Sequence, residues 1–197
     1  VCDHVAEYGL PMTPEYVGWV NARPMQPRRQ PTVDEHLLVI AAGGGADGAD
    51  VRRIGSDLVR ANPDWRGLMI VGPLGLTRHA AFGEQPRLEV VGAVEHCGDL
   101  MAGAAASVQM AGYNTTVEAL AAGVRPLLVP RRHPRREQAI RANRLASLGV
   151  ADTVAHASTA RPQAGYPVGS LSTAGASTPR SAACVGRRSS AGRALHS

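Results

Sequence analysis

Three segments of this chain place phosphate-binding residue types at useful spacing. The first is Gly43-Gly44-Gly45-Ala46-Asp47-Gly48. Glycines let backbone approach a phosphate closely, and a helix that follows supplies bare N–H groups and the positive end of its dipole. The segment satisfies G-x-G-x-x-G. A dinucleotide site also needs an acid about 20 residues on, at the end of the second strand, to hold the ribose. Here that stretch ends Val71-Gly72-Pro73, with no acid. A nicotinamide cofactor is therefore disfavoured, and two readings stand: a phosphate or acceptor contact, or a tight turn with no ligand.

The second segment runs from Ala111 through Gly112, Tyr113, Asn114, Thr115, Thr116 and Glu118 to Gly123. Its backbone N–H groups at 112–116 could hold a diphosphate, with hydroxyls from Thr115 and Thr116. Glu118 could then accept from ribose hydroxyls. Thr115-x-x-Glu118 is equally a capping box, in which Glu118 would only satisfy the N–H of Thr115. Spacing leaves both open. The third segment is Pro130-Arg131-Arg132-His133-Pro134-Arg135-Arg136-Glu137-Gln138. Its arginines could add positive charge beside a phosphate, and Gln138 could hydrogen-bond a sugar hydroxyl. An Arg-rich loop is more often simply solvated.

These segments need a scaffold, and the hydrophobic pattern supplies one. Residues 37–42 form a continuous apolar run ending in glycines, as a buried parallel strand requires. In 50–61, Val51, Ile54, Leu58 and Val59 fall on one helical face. Further strands are predicted at 68–71, 88–91, 107–110, 126–129 and 151–154, and helices at 99–106, 116–122 and 137–148, the last stopping at Gly149. Strand alternating with helix predicts a doubly wound, Rossmann-like parallel α/β sheet, with ligands beyond the carboxyl ends of its strands. Three regions follow: a Pro/Arg-rich lead at 1–34, with a short strand expected at 16–20; the α/β domain at 35–155; and a Ser/Ala/Gly/Arg tail at 156–197, expected to be disordered. The abrupt change after Val154 suggests an unnatural terminus or a shift of reading frame, which comparing the other frames of the coding sequence tests. The start, Val-Cys-Asp-His without Met, suggests a missing beginning.

Composition excludes several classes. The net charge is +5, but all 16 acids and 16 of the 21 basic residues lie before residue 153, where they balance. The excess is five tail arginines, weak support for a nucleic-acid partner. No lysine occurs, so a P-loop is absent, as are D-x-D and H-E-x-x-H. Three scattered cysteines argue against a disulfide framework or a zinc site. His79, His96, His133 and His156 read as surface residues.

Segments 37–49, 91–99 and 112–138 together resemble the C-terminal domain of glycosyltransferase family 28, and Glu7–Pro11 with Tyr16–Val20 resemble the end of that family's N-terminal domain. The resemblance covers residues 1–155. It implies the C-terminal half of a two-domain GT-B glycosyltransferase that binds a nucleotide-diphospho-sugar, a UDP-sugar, for metal-independent inverting transfer to an acceptor hydroxyl. It implies that Glu118 binds the ribose, that Gly112, Asn114, Thr115 and Thr116 surround the diphosphate, and that Gln138 meets the sugar. Val94-Glu95-His96 would lie against the base, and Gly44 and Gly45 would line the cleft. No cofactor or metal is implied. The general base would come from the N-terminal domain, so this fragment alone should bind donor without catalysing transfer. The acceptor stays unassigned. A cytoplasmic location is expected, with peripheral membrane association left open through the N-terminal domain. The loop departs from the family pattern before Gln138, where Arg135-Arg136-Glu137 stands, which leaves the sugar open. The competing classes are a non-catalytic nucleotide-binding module, a sugar-nucleotide epimerase of the same fold, and an Arg-driven nucleic-acid binder.

Overall fold

The computed structural model describes residues 15, 19–20, 32–43, 47–72, 85–131 and 136–154. Strand β1 (Asp34–Ala41) leads through a turn into α1 (Ala49–Ala61), followed by β2 (Arg66–Ile70) and β3 (Leu88–Val91). Next come α2 (Cys97–Ala102), β4 (Ala104–Gln109), α3 (Tyr113–Ala121), β5 (Pro126–Leu128), α4 (Glu137–Ser147) and β6 (Asp152–Thr153). All six strands are parallel, in the order β3-β2-β1-β4-β5-β6. Fold class and alternation are as the sequence predicts. The expected strand at 16–20 is not described apart from Trp19 and Val20, which lie in no strand, and the tail at 156–197 lies outside the described residues.

β1 is apolar throughout its second half because it is covered on both faces. Leu38, Ile40 and Ala42 pack with Val51, Ile54, Leu58 and Val59 of α1. Val39 and Ala41 face the other way, among Met101 of α2 and Ala119 of α3. Each such aliphatic side chain, fully buried, contributes about 1.5–3 kcal/mol, so this two-sided burial outweighs any local preference. α1 lies so close to the sheet that a Cβ on Gly55 would stand 2.7 Å from Ile40. A third cluster seats α4 through Ala142 and Leu145 on Leu128, Ala111 and Ala151.

The boundaries around β4 and α3 differ from the sequence prediction. The helix expected at 99–106 ends at Ala102, and 104–109 form the central strand. Alanines favour helix weakly, by tenths of a kcal/mol each, whereas Ala104, Ala106 and Ser107 here pair with Asp34, Leu38 and Val39 of β1. Helix α3 begins at Tyr113, three residues earlier than expected, with Gly112 as its N-cap. The helix stops match: α3 and α4 each end on a glycine at positive φ, Gly123 (77°) and Gly149 (71°). Val124 N–H reaches Ala119 O and Val150 N–H reaches Leu145 O, which satisfies carbonyls that a helix end leaves bare.

Candidate functional site

The strand order reverses direction between β1 and β4, so a crevice opens beyond their carboxyl ends, where doubly wound sheets bind ligands. Two glycine turns meet there. Gly43 follows β1 at φ 75°, and a Cβ on it would come within 3.3 Å of Met110 Sδ, just beyond β4. Gly48 opens α1 in ordinary backbone, but a Cβ there would lie 2.2 Å from the carbonyl oxygen of Ala42. Only a residue without a side chain closes this turn. Gly112 is unlike both: its backbone is extended (φ −65°, ψ 150°) and nothing lies within 4 Å of a Cβ built on it.

Above Gly112 the first turn of α3 has no side-chain cap. The capping box that Thr115 and Glu118 could have formed is absent, because Gly112 occupies the cap position and Thr115 already lies inside the first turn. Glu118 sits one turn further on, partly exposed, against the start of α2: a Cβ on Gly98 would be 3.4 Å from Glu118 Cβ. Burial, and secondarily the Glu118 carboxylate, push the Cys97 thiol up to about 11. The acid therefore stands beside the turn that carries Val94, Glu95 and His96 into α2.

Arg131, just after β5, and the start of α4 border the other side. Arg131 Nη2 donates to Glu137 Oε1 at 2.9 Å, and Nη1 donates to Asp47 Oδ2 at 3.4 Å, in the turn after β1. The hydrogen bond to Glu137, then its charge and that of Asp47, hold the guanidinium in its charged form against the burial that opposes it. Gln138 is buried, and its Oε1 accepts the N–H of Arg131 at 3.1 Å. Beneath the α3 head, buried Arg141 donates through Nη1 to the carbonyl of Ala111 and lies 5.9 Å from the ring centroid of Tyr113. Tyr113 is exposed; its hydroxyl accepts Val20 N–H at 2.7 Å, and the Trp19 ring lies 5.4 Å away.

Several solved structures share this fold. The glycotransferase of kitacinnamycin matches with a TM-score of 0.54 and 20% identity, over 85% of this chain and 40% of its own. MurG of Acinetobacter baumannii matches at 0.53 and 21%, over 66% and 38%. The spinosyn rhamnosyltransferase SpnG, in complex with spinosyn aglycone, matches at 0.54 and 16%, over 75% and 40%; a thymidine diphosphate complex of the same enzyme matches at 0.50. The chain has the fold of a GT-B glycosyltransferase domain. It spans about two fifths of the length of those enzymes. No protein-family model matches the sequence, and no curated protein matches it significantly.

Within this fold the residues singled out in the sequence fall into distinct places. Gly112, Asn114 and Thr115 gather at the head of α3, with Asn114 exposed and Thr115 half-buried. Thr116 is fully buried; its hydroxyl has no partner, and its N–H is taken by Gly112 O at 3.1 Å. Glu118 and His96 stand on neighbouring helices, His96 as the N-cap of α2. Gln138 lies across the crevice on α4. Gly44 and Gly45 lie outside the described residues, as do His79, His133 and His156. Among the described residues no three His, Cys, Asp or Glu side chains cluster as metal ligands would, and no helix is long and apolar enough to cross a membrane. Sequence reasoning missed Asp47, Tyr113 and Arg141 and did not separate Arg131 from its neighbours. Their partners lie 30 to 93 residues away, so no local pattern marks them.

Proposed function

We propose that this domain binds the nucleotide-diphospho-sugar donor, a UDP-sugar, of a glycosyltransferase that transfers the sugar with inversion and without a metal. The observation that carries it is the head of α3: an uncapped helix N-terminus under open space at the strand-order switch, with Glu118 one turn on. The free N–H groups and the helix dipole suit a diphosphate and stabilise it further as it leaves with full charge, which is catalysis by pre-oriented dipoles. Glu118 accepts the ribose hydroxyls, and the adjoining 94–96 turn borders the base. An acceptor hydroxyl attacks the anomeric carbon from the opposite side, and its proton goes to a base outside this domain. The fold shared with glycosyltransferases, and the thymidine diphosphate held by one of them, support the same chemistry.

Calorimetric titration of the chain with UDP, TDP, ADP and NAD tests this. UDP should bind selectively, and Glu118→Ala should weaken it by about 1.5–3 kcal/mol, the worth of a hydrogen bond to a charged group. A folded sample that binds none of the four overturns the proposal. Selective TDP binding would keep the site and change the base.

A further inference from the structure

The crevice contains a cation that already has anionic partners. In the sheet, β4 lies between β1 and β5. Strands are about 4.8 Å apart, so the ends of β1 and β5 are roughly 10 Å apart. Arg131 follows β5, yet its guanidinium reaches Asp47 in the turn after β1. To do so it must pass across the carboxyl end of β4, where Ala111 and Gly112 lead into the uncapped α3. Its two partners are unequal. Glu137 is close, at 2.9 Å, with its side chain 17% exposed. Asp47 is at 3.4 Å and 56% exposed. The first contact fixes where the guanidinium sits; the second is a long, solvated ion pair of the kind that contributes little. Arg131 Nε is buried and has no partner.

We propose that Arg131 is an anion-exchangeable latch: in the free protein its outer face rests on Asp47, and an incoming diphosphate displaces that carboxylate and takes the guanidinium while Glu137 keeps it in place. The latch presupposes the donor site proposed above. A guanidinium forks onto phosphate oxygens in two parallel hydrogen bonds, which a single long contact to an exposed carboxylate cannot match. Exchange also brings a positive charge to the side of the diphosphate opposite α3. It releases the Asp47 carboxylate to solvent as well.

The sign of one substitution separates a latch from a strut. If Asp47 competes with the ligand, Asp47→Asn removes the competitor and tightens binding. If the bridge only orders the loops, the same change weakens it. Full-length wild type, Asp47→Asn, Arg131→Gln and Arg131→Lys are titrated with UDP and with uridine, which lacks the phosphates, and each is checked for unchanged thermal unfolding. Asp47→Asn should bind UDP about threefold to tenfold tighter, and Arg131→Gln about tenfold weaker, since charge-assisted hydrogen bonds to phosphate are at stake. Arg131→Lys, which keeps the charge and loses the fork, should fall between wild type and Arg131→Gln. Uridine affinity should not change. Asp47→Asn binding UDP no tighter than wild type overturns the latch, as does any variant that shifts uridine as much as UDP. Wild type that binds neither UDP nor TDP overturns the donor site itself, and the latch with it.

Discussion

After β1 the chain turns through Gly43 and Gly48; after β4 it turns through Gly112. In the first turn the protein itself requires glycine: Gly43 has left-handed backbone, and Gly48 abuts the Ala42 carbonyl. In the second, backbone and surroundings would accept any residue, and a side chain at 112 would instead occupy the space over the head of α3. Two glycine turns that read alike in sequence thus differ: the fold requires glycine in the first and leaves space beside it in the second. A glycine that its own fold does not need is the better pointer to a ligand.

The largest effect should break the symmetry between the turns directly. Gly48→Ala forces a Cβ against backbone and should cost about 3 kcal/mol in denaturant unfolding, the upper range for overpacking. Gly112→Ala should change stability by about 0.5 kcal/mol or less, as surface substitutions do, while weakening UDP binding. Equal losses of stability at both positions would erase the distinction. Next, Arg141→Met removes a buried guanidinium that holds the Ala111 carbonyl just before Gly112. It should cost about 1.5–3 kcal/mol in thermal unfolding, because a charged hydrogen bond is lost and a buried carbonyl is left bare. Smaller, and opposite in sign, is Thr116→Val. Replacing a buried hydroxyl that has no partner by a methyl should raise stability by about 1 kcal/mol. It should leave UDP affinity alone; a fall in affinity would place the Thr116 hydroxyl in the binding set.

The smallest effect is electrostatic and sharpens the position of Glu118. Cys97 is protonated in the folded chain to about pH 11, above its ordinary 9.0. Any stability this group contributes is therefore complete below pH 9 and is lost as pH rises through about 11. Alkylation of the folded chain at pH 8 should accordingly be slow. Glu118→Gln removes the secondary, charge-based part of the shift and should speed alkylation modestly, burial being the main cause. An unchanged rate would place the carboxylate away from Cys97.

The sequence by itself determined the class of fold, because its signals are local. A two-sided apolar run marks β1, a one-sided helical stripe marks α1, and Gly123 and Gly149 end their helices where left-handed backbone is needed. It also singled out the segment around Gly112 and Glu118, which the structure places beyond the carboxyl end of β4. It could not order the strands, since parallel pairing joins residues dozens of positions apart, such as Val39 with Leu68 and Ser107. That pairing also drew 104–106 out of a helix and into β4. Whether Thr115 and Glu118 form a capping box turned on a three-residue difference in where α3 begins: with Gly112 at the cap, they do not. Likewise, the bridge from Arg131 to Asp47 spans 84 residues and joins the ends of β1 and β5 across the intervening β4. Periodicity and glycine placement act within a few residues, whereas the geometry of a crevice depends on which strands become neighbours, and only tertiary packing decides that.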